Sequence, residues 1–186
     1  MPLKKTETVI AQSLYKTFVQ GYLQNEIDTG VLTLARTPHL VHCHLLATAP
    51  WLRIPKATSV TLYPMAGSNA PLLTINLHAV HFSFGVKECR LQLEAASELM
   101  RAHEGRVIYS GDLNIWSDRQ QTTLDALTDE LGLTAVPFSP DYRTSPFGRP
   151  LNHLYVRGLT RQSCETVQVD TSDHNPLIAT LQRHGS

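Results

Sequence analysis

At 186 residues, 42% hydrophobic and 17% charged, the chain has the size and composition of one globular domain with its own core. Sixteen Lys and Arg balance sixteen Asp and Glu, which excludes the global footprint of a strongly basic nucleic-acid binder or of a protein held by anionic lipid. A local basic rim is still compatible with zero net charge, and nine histidines leave the charge near pH 6 open.

Val9, Ile10, Leu14, Phe18 and Tyr22 recur at near-helical spacing, so the pattern predicts an amphipathic helix from Thr6 to Leu23, ending around Gly21. After a turn at Asp28-Thr29-Gly30, the stretch Gly30 to Ala35 reads as a strand. Val41 to Leu46, Thr58 to Tyr63 and Pro71 to Ala79 read as further strands. Val86, Cys89, Leu93, Ala96 and Met100 then form one apolar stripe with Lys87, Arg90, Glu94 and Arg101 opposite. That pattern is a helix, with Gly105 as its stop.

Arg106 to Tyr109 is a short strand running into Gly111-Asp112. Arg119 to Leu131 is a second helix, with Gly132 after it. Ser139 to Pro150 holds three prolines and a glycine and reads as a loop. Leu151 to Val156, Thr166 to Asp170 and Leu177 to Leu181 complete the strands. Helices interrupt the strands only at intervals, which implies an α/β fold with mixed sheets.

Cys43, Cys89 and Cys164 are scattered, with no Cys-x-x-Cys pair. They exclude a zinc knuckle and a disulfide framework and read as reduced, core-filling thiols. No apolar run reaches the roughly 18 residues of a membrane span, and the N-terminus carries no signal-peptide hydrophobic segment. The expectation is a soluble, cytoplasmic protein.

Three stretches carry chemistry. In Thr171-Ser172-Asp173-His174-Asn175-Pro176, an Asp and a His sit at the mouth of a strand and point to opposite sides of the backbone. One can hold a metal or orient a neighbour while the other moves a proton; a solvated turn is the alternative. In Gly111-Asp112-Leu113-Asn114, an apolar strand delivers Asp112 to its C-terminal edge, and Asn114 can face the same side. A carboxylate that aligns water and an amide that donates to a phosphoryl oxygen suit hydrolysis. An Asx-type turn is equally compatible. His78 ends the strand after Asn76-Leu77 and reads as a rim residue or as part of the same site. His39, His42 and His44 receive no role, since His42/His44 lacks a third ligand at useful spacing.

Taken together, Asn76-Leu77-His78, Gly111-Asp112-Leu113-Asn114, Leu151-Asn152-His153 and Ser172-Asp173-His174 resemble the endonuclease/exonuclease/phosphatase superfamily of DNase I-like phosphoesterases. The likeness runs from about Gly30 to Leu181. Trp51-Leu52-Arg53-Ile54-Pro55-Lys56-Ala57 and Phe147-Gly148-Arg149-Pro150-Leu151 are similar to an uncharacterised bacterial branch. The resemblance implies a four-layer sandwich of two mixed sheets flanked by helices, and Mg²⁺ or Mn²⁺ as cofactor. It implies that His78 contacts the scissile phosphate and can serve as acid. Asp112 would position the attacking water or share in metal binding, and Asn114 would donate to the phosphoryl group. Asp173 would be a carboxylate near the metal, and His174 the second active-site histidine. Hard carboxylate oxygens suit hard divalent ions that neutralise a transferring phosphoryl group.

The sequence departs from the family twice. Asn152 stands where the family has an aspartate that fixes the histidine matched by His174. Losing the charge there costs on the order of 10⁴ at worst, by analogy with a serine-protease triad. The family also opens with two strands, the second carrying a metal-binding glutamate; Gln24-Asn25-Glu26 lies too close to Gly30 to be that strand. The chain is therefore read as a single N-terminally incomplete domain over 1–186, in which an exposed strand edge beside Leu177–Leu181 favours a homodimer. The expected function is metal-dependent, nuclease-like phosphodiester hydrolysis. The alternatives are a weak or inactive member acting in binding or assembly, and a phosphatase or phospholipid phosphodiesterase.

Overall fold

The computed structural model describes residues 14–24, 26–48, 55–79 and 86–183. Among these residues, ten strands and two helices follow one another as β1 (Tyr15–Gln24), β2 (Ile27–Ala35), β3 (Val41–Thr48), β4 (Pro55–Tyr63), β5 (Leu72–His78), α1 (Val86–Ala102), β6 (Val107–Asp112), α2 (Asp118–Glu130), β7 (Thr134–Ala135), β8 (Asn152–Arg157), β9 (Leu159–Thr166) and β10 (Leu177–Arg183). A 3₁₀ turn at Pro146–Gly148 breaks the proline-rich loop.

A six-stranded mixed sheet of order β3-β4-β5-β6-β8-β7 forms the middle of the molecule. β5 and β6 are parallel, joined by the crossover through α1, and the other neighbours are antiparallel. Burial alternates along β5, so Leu73, Ile75 and Leu77 face one side while Thr74, Asn76 and His78 face the other. On the first side Leu93, Ala96 and Met100 of α1 and Leu124 of α2 close a core with Ile75, Leu77, Val107, Tyr109 and Tyr155. Ser117 caps α2 in a reciprocal box with Gln120, and Gly132, at φ 63, ends it.

Two antiparallel hairpins cover the second side. β1–β2 packs Val19 and Val31 on Ala57 of β4. Asn76 Nδ2 donates to the Leu32 carbonyl at 3.3 Å and to Thr33 Oγ1 at 3.3 Å, which ties this hairpin to β5. β9–β10 packs Cys164, Leu177, Ala179 and Leu181 on Ile108, Leu154 and Val156. Helices, mixed sheet and second β-layer stack as the α/β sandwich expected. Among the described residues, β2 pairs only with β1, and β10 only with β9.

The structure overturns the N-terminal helix over Tyr15 to Leu23; Thr6 to Ser13 lie outside the described residues. Its supposed apolar stripe is the wet side: Leu14 is 75% exposed and Phe18 46%, while the buried residues are Thr17 and Val19, two apart. Period two and cross-strand pairing with β2 outweighed the helical spacing. The strand expected over Thr166 to Asp170 instead lies at Leu159–Thr166, where Arg161, Gln162 and Ser163 are exposed in succession and Glu165 faces outward, which hid it. Val167 N–H bonds the Pro176 carbonyl at 3.2 Å, so the chain is already turning there. Cys43 is exposed rather than core-filling, whereas Cys164 is buried. The Cys89 side chain lies outside what is described. No helix among the described residues is long and apolar enough to cross a membrane.

Candidate active site

Parallel pairing of β5 with β6 brings both C-terminal ends to one edge of the sheet, with His78 opposite Asp112. Antiparallel β8 begins at that same edge, so Asn152 stands opposite Asp112. Three chemically active side chains from three distant stretches therefore share one row. The row depends on Gly111, whose φ is +144 and whose added Cβ would lie 1.8 Å from the Leu77 carbonyl oxygen. No residue with a side chain fits that approach.

The row lines a cleft of about 780 Å³, with Lys56, Asn114, Trp116, Asp173 and His174 completing its polar wall. His78 Nε2 lies 3.6 Å from Asp112 Oδ2, and His174 Nε2 lies 3.9 Å from the same oxygen. His174 arrives on the loop before β10, and its Nδ1 is 2.8 Å from Asn152 Oδ1. An amide oxygen only accepts, so Nδ1 carries the proton and Nε2 is the atom turned toward Asp112. That places a proton-accepting nitrogen and a carboxylate oxygen 3.9 Å apart on one wall of the cleft, near enough for a single water beside them to touch both.

Asn114 is 2% exposed and left-handed, at φ 50. Its Nδ2 donates to the Ala79 carbonyl at 3.2 Å, its Oδ1 accepts from Trp116 Nε1 at 3.3 Å, and its N–H donates to Asp112 Oδ1 at 3.1 Å. The Asx-type turn is what the structure shows: the Asn114 N–H orients the Asp112 carboxylate, while the Asn114 amide is taken up by Ala79 and Trp116. Asp173 is exposed on the rim, where Thr144 Oγ1 donates to its carbonyl at 2.6 Å.

All six sequence-derived residues, His78, Asp112, Asn114, Asn152, Asp173 and His174, line this one cleft. Sequence reasoning missed Lys56, whose Nζ lies 2.8 Å from His78 Nε2. A lysine at the head of an apolar strand was the available signal. Burial pushes the Lys56 ammonium below its usual range, with Asp112 acting in the opposite direction. It also missed Arg143, which grips Asp141 through Nε at 2.9 Å and Nη2 at 2.7 Å and reaches the Asn152 carbonyl at 3.3 Å. Arg143 thereby anchors the start of β8. His153 is buried and stacked on Tyr155, donates from Nε2 to the Pro150 carbonyl at 2.8 Å, and has its pKa lowered to about 4 by burial.

A hard divalent cation takes about six oxygen ligands. Asp112 is the carboxylate that converges with the two histidines, and no group of three His, Cys, Asp or Glu among the described residues could hold a metal ion. The described side chains do not by themselves fit the implied Mg²⁺ or Mn²⁺.

No family model matches the chain. A UPF0294 protein of Vibrio parahaemolyticus is 37% identical over 153 residues, covering 82% of this chain and 54% of that protein. One from Yersinia enterocolitica is 40% identical over 164 residues, covering 88% and 63%. The chain thus spans somewhat over half the length of these relatives. Among solved structures, an endonuclease/exonuclease/phosphatase from Bacteroides vulgatus aligns with a TM-score of 0.68 at 16% identity, over 98% of this chain and 80% of that one. The human Nocturnin catalytic domain aligns at 0.68 and 12%, over 99% and 77%. D. rerio TDP2, complexed with single-strand DNA product, aligns at 0.60 and 14%, over 97% and 81%. The six-stranded mixed sheet with its overlying hairpins is the fold that these solved structures share.

Proposed function

We propose that the chain is a nuclease-like phosphodiester hydrolase domain in which water attacks phosphorus directly. The observation that carries this reading is the pair of Nε2 atoms, from His78 and His174, on one Asp112 carboxylate in an open cleft. A water beside His174 Nε2 and Asp112 Oδ2 would give its proton to Nε2 as its oxygen bonds phosphorus. The phosphorus–oxygen bond to the leaving group would then break, and the leaving alkoxide would take a proton. Asn152 would hold the His174 ring in the accepting tautomer, and Asn114 would hold Asp112. The solved neighbour with DNA product supports nucleic acid as the substrate class.

Any Mg²⁺ or Mn²⁺ would be held weakly, through Asp112 and Asp173 with water completing the shell, and we assign it no step. The second reading is a weak or inactive domain that keeps the fold for binding or assembly. It is favoured by neutral Asn152, which accepts the His174 proton without a charge to stabilise the imidazolium. The edges of β2 and β10 that have no partner among the described residues support strand pairing between two copies. Hydrolysis in ¹⁸O-labelled water tests the chemistry. Label in the phosphate product is expected, and label in the alcohol would exclude attack at phosphorus.

A further inference from the structure

The cleft holds one conspicuous group that the mechanism above leaves idle. Among the described residues that line it, Lys56 is the single lysine or arginine. It comes from β4, next to β5, and its Nζ lies 2.8 Å from His78 Nε2.

A charged ammonium has three donors and no acceptor. The 2.8 Å contact to His78 Nε2 uses one of them and seats the Lys56 head group at the edge of that ring.

The ammonium also has spare capacity. One of its three N–H groups goes to His78, which leaves two for a ligand. Its charge is partly desolvated, a state stabilised when an anion arrives. With no three-donor metal cluster among the described residues, an anion entering beside Asp112 needs a cation, and Lys56 is the one at hand.

We propose that Lys56 is the phosphate-binding cation of this cleft. The ligand class is a phosphate ester or phosphate anion. The inference rests on the hydrolase reading only for the identity of the anion, because binding needs no turnover.

Titration of inorganic phosphate by calorimetry at pH 7, on the full chain, tests this. Lys56→Met is expected to weaken binding about 10- to 100-fold, the loss of one charged hydrogen-bond donor, and Lys56→Arg to stay within about threefold of wild type. A thermal melt confirms that each variant is folded, and Lys56→Arg keeps the test open if Lys56→Met is not. Equal phosphate affinity in wild type and Lys56→Met would overturn the proposal. So would absence of phosphate binding by the wild type. Phosphate binding that depends on Lys56 without diester hydrolysis would retain the site and defeat the hydrolase reading. Hydrolysis indifferent to Lys56 would do the reverse.

Discussion

Replacing Gly111 by alanine is expected to damage both fold and site, by an amount the structure sets. At φ +144 an L side chain is strained, and leaving that region moves the very segment that carries Asp112. The conformational penalty is about 1–2 kcal/mol. The added Cβ would also lie 1.8 Å from the Leu77 carbonyl oxygen and 2.8 Å from its carbon, both backbone atoms in the neighbouring strand. Relieving that overlap means separating β5 from β6 where their ladder is continuous, for a further 1–3 kcal/mol or roughly so. The sum, about 2–5 kcal/mol, is a large part of the stability of an ordinary domain. Urea unfolding followed by tryptophan fluorescence reads it directly. A loss below about 1 kcal/mol would refute the close approach of the two strands and, with it, the row His78–Asp112–Asn152.

Asn152→Asp keeps the 2.8 Å contact to His174 Nδ1 and adds a charge that stabilises the imidazolium formed when His174 takes a proton. The hydrolysis rate is expected to rise about five- to tenfold, and an unchanged rate in steady-state assays would remove that role from position 152. His153 titrates at about 4 in the folded protein against 6.5 unfolded. Below pH 6.5 the unfolded chain takes up a proton that the folded one refuses, so this contribution to stability is lost as pH falls toward 4. Denaturation at pH 7.5 and pH 5 should show His153→Gln losing about 2 kcal/mol less than wild type over that interval. Calorimetry with Mg²⁺ should give a dissociation constant of about a millimolar or weaker, since one converging carboxylate is few for a hard ion. Light scattering at micromolar protein is expected to report twice the chain mass, because β2 and β10 each present an edge with no described partner.

The site was legible in the sequence where strand ends and chemistry coincide. His78 closes a strand with a clean alternation, and Asp112 follows an apolar stretch that alternates as far as Ser110, so both strand ends could be read from the pattern. That they would lie side by side depends on the parallel register of β5 and β6, which no local pattern encodes. The helices were legible too, because α1 and α2 carry helical stripes ended by glycine-containing turns. β1 was misread because its exposed Phe18 and Leu14 mimic a helical stripe while its buried residues, Thr17 and Val19, are few. β9 was misplaced because only Cys164 and Thr166 of its second half face inward. Lys56 went unassigned for a related reason: its meaning comes from β4 lying beside β5, a tertiary fact.

Hydrolysis of a phosphodiester by the wild type beside Asp112→Asn and His174→Ala tests the central claim most directly. With a single-stranded oligonucleotide as substrate, the wild type is expected to be slow but measurable. Each variant is expected to lose about 10²-fold or more, because the proposed mechanism puts Asp112 and His174, 3.9 Å apart, on the attacking water. No cleavage by the wild type, or cleavage that survives both substitutions, would contradict it.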